Sequence, residues 1–153
     1  MKKSYMGFAA DSDTRMALEE FARELAPHEW REGSAMYVNT YVLAVPEEKR
    51  DDYLRIAKRY AEIAKDHGAI EVCENWELEV PDGEQTDYRK AVLAGPGEKI
   101  VVSWTIWPDR ETGFKAHRAM PEDPRFGDMG PMPFDGKRMI LGGFEPLTRW
   151  RKE

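Results

Sequence analysis

Glu74 is the sharpest chemical anomaly in this 153-residue chain. It stands in an alternating segment, on the same side as Val72, Trp76 and Leu78. A carboxylate among apolar side chains loses hydration, so its pKa rises unless a cation or hydrogen-bond donors compensate. A carboxyl tuned in this way can exchange protons near neutral pH. The plainer alternatives are a bulge or register shift that exposes Glu74, or an ion pair with Lys137 or Arg138. His67 is the second candidate. It ends an apolar helical stripe, where an imidazole is either a packed residue held by the helix dipole or a general base. Asp135, Lys137 and Arg138 follow Pro133 in a tight turn that opens onto an apolar segment. Two cations there can hold a carboxylate or enolate-like anion, or they simply complete a solvated turn. Trp107, on the mixed side of a segment ended by Pro108, is a candidate pocket wall. Trp104, on a wholly apolar side, is expected in the helix-side core. Glu74 and His67 are therefore the acid/base candidates, and Trp107, Asp135, Lys137 and Arg138 the ligand-binding ones.

Other chemistries find no pattern. His28, His67 and His117 lie far apart without metal-ligand spacing, and His117 is expected on a helix surface. There is no Walker loop, dinucleotide-binding glycine pattern or nucleophile elbow. Gly142-Gly143 points to close strand packing. No metal or cofactor is expected.

The elements that must position these residues read as follows. Residues 36–45 form a strand with no truly polar side. Pro46 starts a helix whose apolar stripe runs Tyr53, Ile56, Ala57, Tyr60, Ile63, Ala64 and His67, with Gly68 where a C-terminal glycine belongs. Residues 69–80 make a second strand and 84–98 are mostly loop. Residues 99–107 make a third strand, Asp109 caps a helix to about Met120, and a last strand spans about 138–147. Residues 1–35 form an appendage. Within it Leu18, Phe21, Ala22 and Leu25 recur at helical spacing, which predicts a short amphipathic helix over 14–26.

The order strand, helix, strand, strand, helix, strand is the split βαβ or ferredoxin-like arrangement, an α+β fold with an antiparallel sheet and both helices on one face. Apolarity on both sides of residues 36–45 and 99–107 implies that the second face is covered too, most simply by a second copy, giving a homodimer. Residues 36–150 are one domain behind the 1–35 extension.

Net charge is −6, with a pI near 5.2 and mean hydropathy −0.70. That balance disfavours nucleic acid and anionic membrane as partners, since both require a basic footprint. No stretch approaches a membrane span. A lone cysteine, Cys73, excludes a disulfide framework and fits a reducing, cytoplasmic setting.

Several of these pieces together resemble the YbaA-like family, a domain of unknown function in the dimeric α/β-barrel superfamily. They are Met36-Tyr37-Val38 with Val42 to Pro46, the helix end His67-Gly68-Ala69, Val102-Ser103-Trp104 with Trp107-Pro108, and Met132 to Phe144. The resemblance spans about residues 36–147. It implies a ferredoxin-like fold and a homodimer, and no agreed catalytic residues. At superfamily level it also implies an apolar ligand held between sheet and helices. Two functions follow as expectations. One is binding or transformation of a small, partly apolar metabolite in such a pocket. The other is a non-catalytic homodimeric module that binds another protein. RNA binding is a distant third.

Overall fold

The computed structural model describes residues 36–150 and 152. The 1–35 extension, with the helix expected over 14–26, lies outside the described residues. The chain runs β1 (Tyr37–Pro46), α1 (Arg50–Asp66), β2 (Glu71–Trp76), α2 (Tyr88–Ala91), β3 (Glu98–Trp107), α3 (Arg110–Ala119), α4 (Pro124–Gly127) and β4 (Ile140–Phe144). The strands form one antiparallel sheet in the order β2-β3-β1-β4. The class is therefore α+β.

α1 forms because its apolar residues recur along one side. Tyr53, Ile56, Ala57, Tyr60, Ile63 and Ala64 are all buried, and Asp51 and Asp52 favour the positive end of the helix dipole. It stops at Gly68, whose φ of +101° suits only glycine. The Gly68 amide donates to the Lys65 carbonyl at 3.0 Å and the Ala69 amide to the Ala64 carbonyl at 2.9 Å, which satisfies two terminal acceptors. Asp109 caps α3 by accepting from the Thr112 amide at 2.7 Å. Arg125 pins the far end of α1 to the α4 region, reaching Asp66 at 2.8 Å and Asp123 at 2.7 Å.

The antiparallel register decides which residues share a face. Tyr37, Asn39, Tyr41, Leu43 and Val45 of β1 point to the same side as Val101, Ser103, Thr105 and Trp107 of β3, and as Val72, Glu74 and Trp76 of β2. This side packs under α1 and α3. One core cluster joins Tyr37 and Trp107 to Ile56, Tyr60, Ile63, Ala116 and Met120; a second joins Tyr41, Leu43 and Val45 to Tyr53 and Ala57.

That assignment reverses the expectation for the two tryptophans. Trp107 is fully buried, with Nε1 donating to Asn39 Oδ1 at 2.8 Å and its ring meeting His117 edge-on. Trp104 lies on the opposite face, half-buried, donating to Glu71 Oε1 at 2.8 Å. His117, expected at the surface, is only 4% exposed. It belongs to a buried stripe of Gly113, Ala116, His117 and Met120.

The opposite face carries Val38, Val42, Ala44, Ile100, Val102, Trp104, Ile106, Ile140 and Phe144. The segment after β2 covers one end of it, as Val80, Val92 and Ala94 pack on Ala44 and Ile100. At the other end Ile140 and Phe144 are exposed. Two strands are shorter than expected. β2 ends at Trp76, so Leu78, expected beside Glu74, is 92% exposed. β4 starts only after a 3-10 turn at Gly136–Arg138. A Cβ at Gly143 would overlap the Tyr37 hydroxyl, which is why this strand carries glycine where it crosses β1.

Leu93 holds φ of +52°, a left-handed conformation unfavourable to a branched side chain, and that side chain is exposed. Leu93→Asn is expected to raise stability by about 0.5 to 1 kcal/mol, since asparagine tolerates this region and no burial is lost. Urea midpoints of the two proteins check this; an unchanged or lower midpoint rejects it.

Candidate functional site

Glu74 pairs with Ser103 across the β2–β3 ladder and sits beneath the first turns of α1. The Tyr53 hydroxyl donates to Glu74 Oε2 at 2.6 Å, and Ser103 supplies a second side-chain hydrogen bond. Burial raises the Glu74 pKa, and these two bonds offset only part of that rise. Tyr53 is pushed far above the ordinary phenol value, by burial first and then by the neighbouring carboxylate, so it stays a proton donor. Among the described residues no lysine, arginine or histidine forms an ion pair with Glu74. Further in, the Tyr60 hydroxyl lies 3.0 Å from Thr105 Oγ1 and is hydrogen-bonded to Tyr41. The helix side of the sheet thus contains a polar strip whose phenols burial keeps protonated.

Beside Glu74 lies a recess of about 110 Å³, walled by Tyr53, Leu54, Ala57, Trp76 and Val101. The Arg50 guanidinium stands at its rim, 5.6 Å from the Trp76 ring centre. A carboxyl in an apolar cavity, held by two hydroxyls, can accept or release a proton or bond a polar group pushed in from the rim.

The other expected site residues do not join it. His67 caps the far end of α1, with Nε2 3.7 Å from Asp123 Oδ2. Tyr53 and His67 are separated along the helix by about 20 Å at 1.5 Å per residue, so Glu74 and His67 are not an acid/base pair. Arg138 is not an open anion site. Its two terminal nitrogens hold both Glu98 oxygens at 2.8 Å each, and Nη1 also reaches the Leu93 carbonyl at 2.9 Å. Its Nε reaches Asp135 at 3.2 Å. Asp135 caps the turn by accepting from the Lys137 amide at 3.0 Å, and Lys137 is exposed. The Asp135-Gly136-Lys137-Arg138 turn therefore clamps the chain before β4 to the start of β3. Trp107 is core and lines neither recess described here.

Tyr53 and Ser103 are the site residues that sequence reading missed. Tyr53 left a signal. A tyrosine on a buried helical stripe needs a hydroxyl partner, and Glu74 is the carboxyl set among apolar residues on a strand. A second, larger recess of about 380 Å³ opens on the opposite face of the sheet among Leu78, Val80, Tyr88, Val102 and Trp104. Among the described residues no cluster of three or more His, Cys, Asp or Glu could hold a metal, and no helix is long and apolar enough to cross a membrane.

A four-stranded antiparallel sheet, two longer helices on one face and a desolvated carboxyl between them define a small α+β protein with a single-carboxylate recess. The chain belongs to the family described as "Protein of unknown function (DUF1428)", which matches residues 36–136. It is similar to "Uncharacterized protein YbaA" of Escherichia coli strain K12, 46% identical over 112 residues that cover 72% of this chain and 96% of that protein. The same figures hold for YbaA of Escherichia coli O157:H7 and of Shigella flexneri. The YbaA-like resemblance is thereby borne out. Among solved structures, the de novo designed protein Foldit4 is 17% identical, with a TM-score of 0.35, covering 74% of this chain and 99% of that one.

Proposed function

We propose that this protein is a ferredoxin-like homodimer that binds, and exchanges a proton with, a small, partly apolar metabolite in the recess at Glu74. The observation that carries the reading is Glu74 itself: a half-buried, partly desolvated carboxyl with two hydroxyl donors, no ion-pair partner among the described residues, and a cavity beside it. Burial without charge compensation lowers stability, and positions where a fold retains such a group are enriched in sites that work. The strand order and the βαββαβ succession support the ferredoxin-like reading. The exposed apolar end of the second sheet face supports a partner copy there.

Glu74→Gln is expected to raise stability above the raised Glu74 pKa, because the folded protein no longer holds a desolvated charge, and to abolish ligand-induced thermal shifts. The wild-type protein and the variant are compared by melting against a metabolite library, with light scattering for the dimer. A variant that responds to the same compounds as the wild type removes Glu74 from the site. A monomer at micromolar concentration removes the dimer.

A further inference from the structure

We infer that the free edge of β2 receives the segment after β4 of a second copy of this chain, as an added strand that carries Leu147 and Trp150. The inference needs neither the metabolite site nor a dimer through the open sheet face. The sheet order leaves β2 at one edge, paired with β3 alone among the described strands. The Glu77 amide donates to the Ile100 carbonyl at 2.9 Å, in the register that sets Asn75 opposite Val102 and Cys73 opposite Trp104. Antiparallel bonding alternates along a strand, so the main-chain groups of Val72, Glu74 and Trp76 face away from β3. Such a row of main-chain donors and acceptors is a template for another strand. The two recesses flank this row. Both are lined by Asn75 and Trp76, one on each side of the sheet. An added strand sends alternate side chains to opposite faces, and an edge with a recess on each face accommodates both sets.

Three observations choose the occupant. The first is exposure. Leu147 is 99% exposed and Trp150 85%, so both bury almost nothing against their own chain. In an extended segment these two residues point to opposite faces. Trp150 suits the recess of about 380 Å³ beside Trp104, and Leu147 the mouth of the smaller one beside Leu54. The second is charge. Residues 71–80 hold Glu71, Glu74, Glu77 and Glu79 and no cation, whereas residues 147–153 hold Arg149, Arg151 and Lys152 against Glu153. Arg89 and Lys99 already hold Glu77, but Glu71 and Glu79 form no ion pair with the described residues. The third is position. β4 is the other edge of the sheet, and the segment after it reaches the start of β1, where Arg149 Nη1 lies 3.2 Å from Met36 Sδ. Both β1 and β3 stand between it and β2 of its own copy, so the added strand comes from a partner. Each copy offers one edge and one segment, and reciprocal exchange closes a two-fold dimer.

Amide hydrogen exchange on the full chain tests this, in concentrated and dilute solutions of the wild-type protein and of Trp150→Ala. The expected result is that the Val72, Glu74 and Trp76 amides exchange about tenfold slower or more in the concentrated wild-type protein than in the dilute one. Trp150→Ala removes that protection, and a synthetic peptide of residues 145–153 restores it. Rapid exchange of all three amides in the concentrated wild-type protein overturns the inference. So does protection that persists on dilution, which would mean that another segment of the same chain covers the edge. Protection that depends on concentration but survives Trp150→Ala assigns it to a different contact between copies, and overturns the inference as well. The lone cysteine supplies a second measurement that needs no truncation of an apolar residue. Cys73 faces the same side of the sheet as Trp104, and Thr148 shares a side with Trp150 in an extended segment. Mild oxidation of Thr148→Cys should link position 148 of one copy to Cys73 of the other, while Arg149→Cys should not link. Equal linking at the two positions shows random collision and overturns the strand addition.

Discussion

Trp107→Ala is expected to remove about 3 to 5 kcal/mol of folding stability. The side chain has no exposure, packs in the cluster that joins Tyr37 to α1 and α3, and carries a 2.8 Å hydrogen bond to Asn39. Truncation leaves a cavity, an unmatched Asn39 oxygen and an imidazole without its ring contact. Domains of this size are stable by only about 5 to 15 kcal/mol, so the variant should sit near unfolding at physiological temperature. Urea denaturation at constant m-value measures it. Trp104→Ala is the control. That ring is half-buried on the other sheet face and should cost clearly less in the isolated chain. Equal losses at the two positions would mean that the assignment of sheet faces is wrong.

The second large effect is a loss of stability on mild acidification, caused by His117. Burial pushes its pKa down to about 4, against an ordinary value of 6.5. As pH falls through 6.5 the unfolded chain takes up a proton that the folded chain refuses until about 4. The unfolded state is then the one that binds more protons, so stability declines across this window. The contribution is about 2 kcal/mol between pH 7 and pH 5. Glu74 acts in the opposite sense. Its folded pKa is raised, so between its ordinary value and the raised one the folded state binds the extra proton and acid stabilises. The lowered carboxyls Asp87, Glu98 and Asp123 weaken the fold only near and below ordinary carboxylate values. Chemical denaturation at pH 7 and pH 5 for the wild-type protein and His117→Gln isolates the term. The variant should lose less stability on acidification, and parallel losses would show that His117 is not the source.

Alternation and helical spacing made the elements legible, because period 2 and period 3.6 are properties of the chain itself. Tyr53 to Ala64, the Gly68 stop and the Asp109 cap lie where the pattern places them. Desolvation of Glu74 was legible too, since Val72 and Trp76 share its face. What alternation does not reveal is which face meets the helices. In β3 the wholly apolar residues Ile100, Val102, Trp104 and Ile106 looked like core, yet the helices cover the mixed set. Side-chain bonds across separate elements make that possible: Trp107 to Asn39, Tyr60 to Thr105, Tyr53 to Glu74. Arg138 was misread for the same reason. Its partner Glu98 lies 40 residues earlier, in what looked like a loop. His117 was recoverable, because Gly113, Ala116, His117 and Met120 keep helical spacing; the small residues hid the stripe.

The strand order has a consequence for how the chain is made. β1 occupies an interior position of the sheet, and Val38 pairs with Phe144 on one side while Tyr37 pairs with Trp107 on the other. On a ribosome adding about 5 to 20 residues per second, that apolar strand emerges several seconds before either neighbour exists. Among the described elements made before β2, α1 is the one whose backbone hydrogen bonds close within its own segment. Until β3 is made the nascent chain therefore carries an unpaired, two-sided apolar strand, and its other edge stays open until β4 follows. Early exposure of β1 is thus built into this topology, and β1 is the segment that a chaperone on the nascent chain would have to cover.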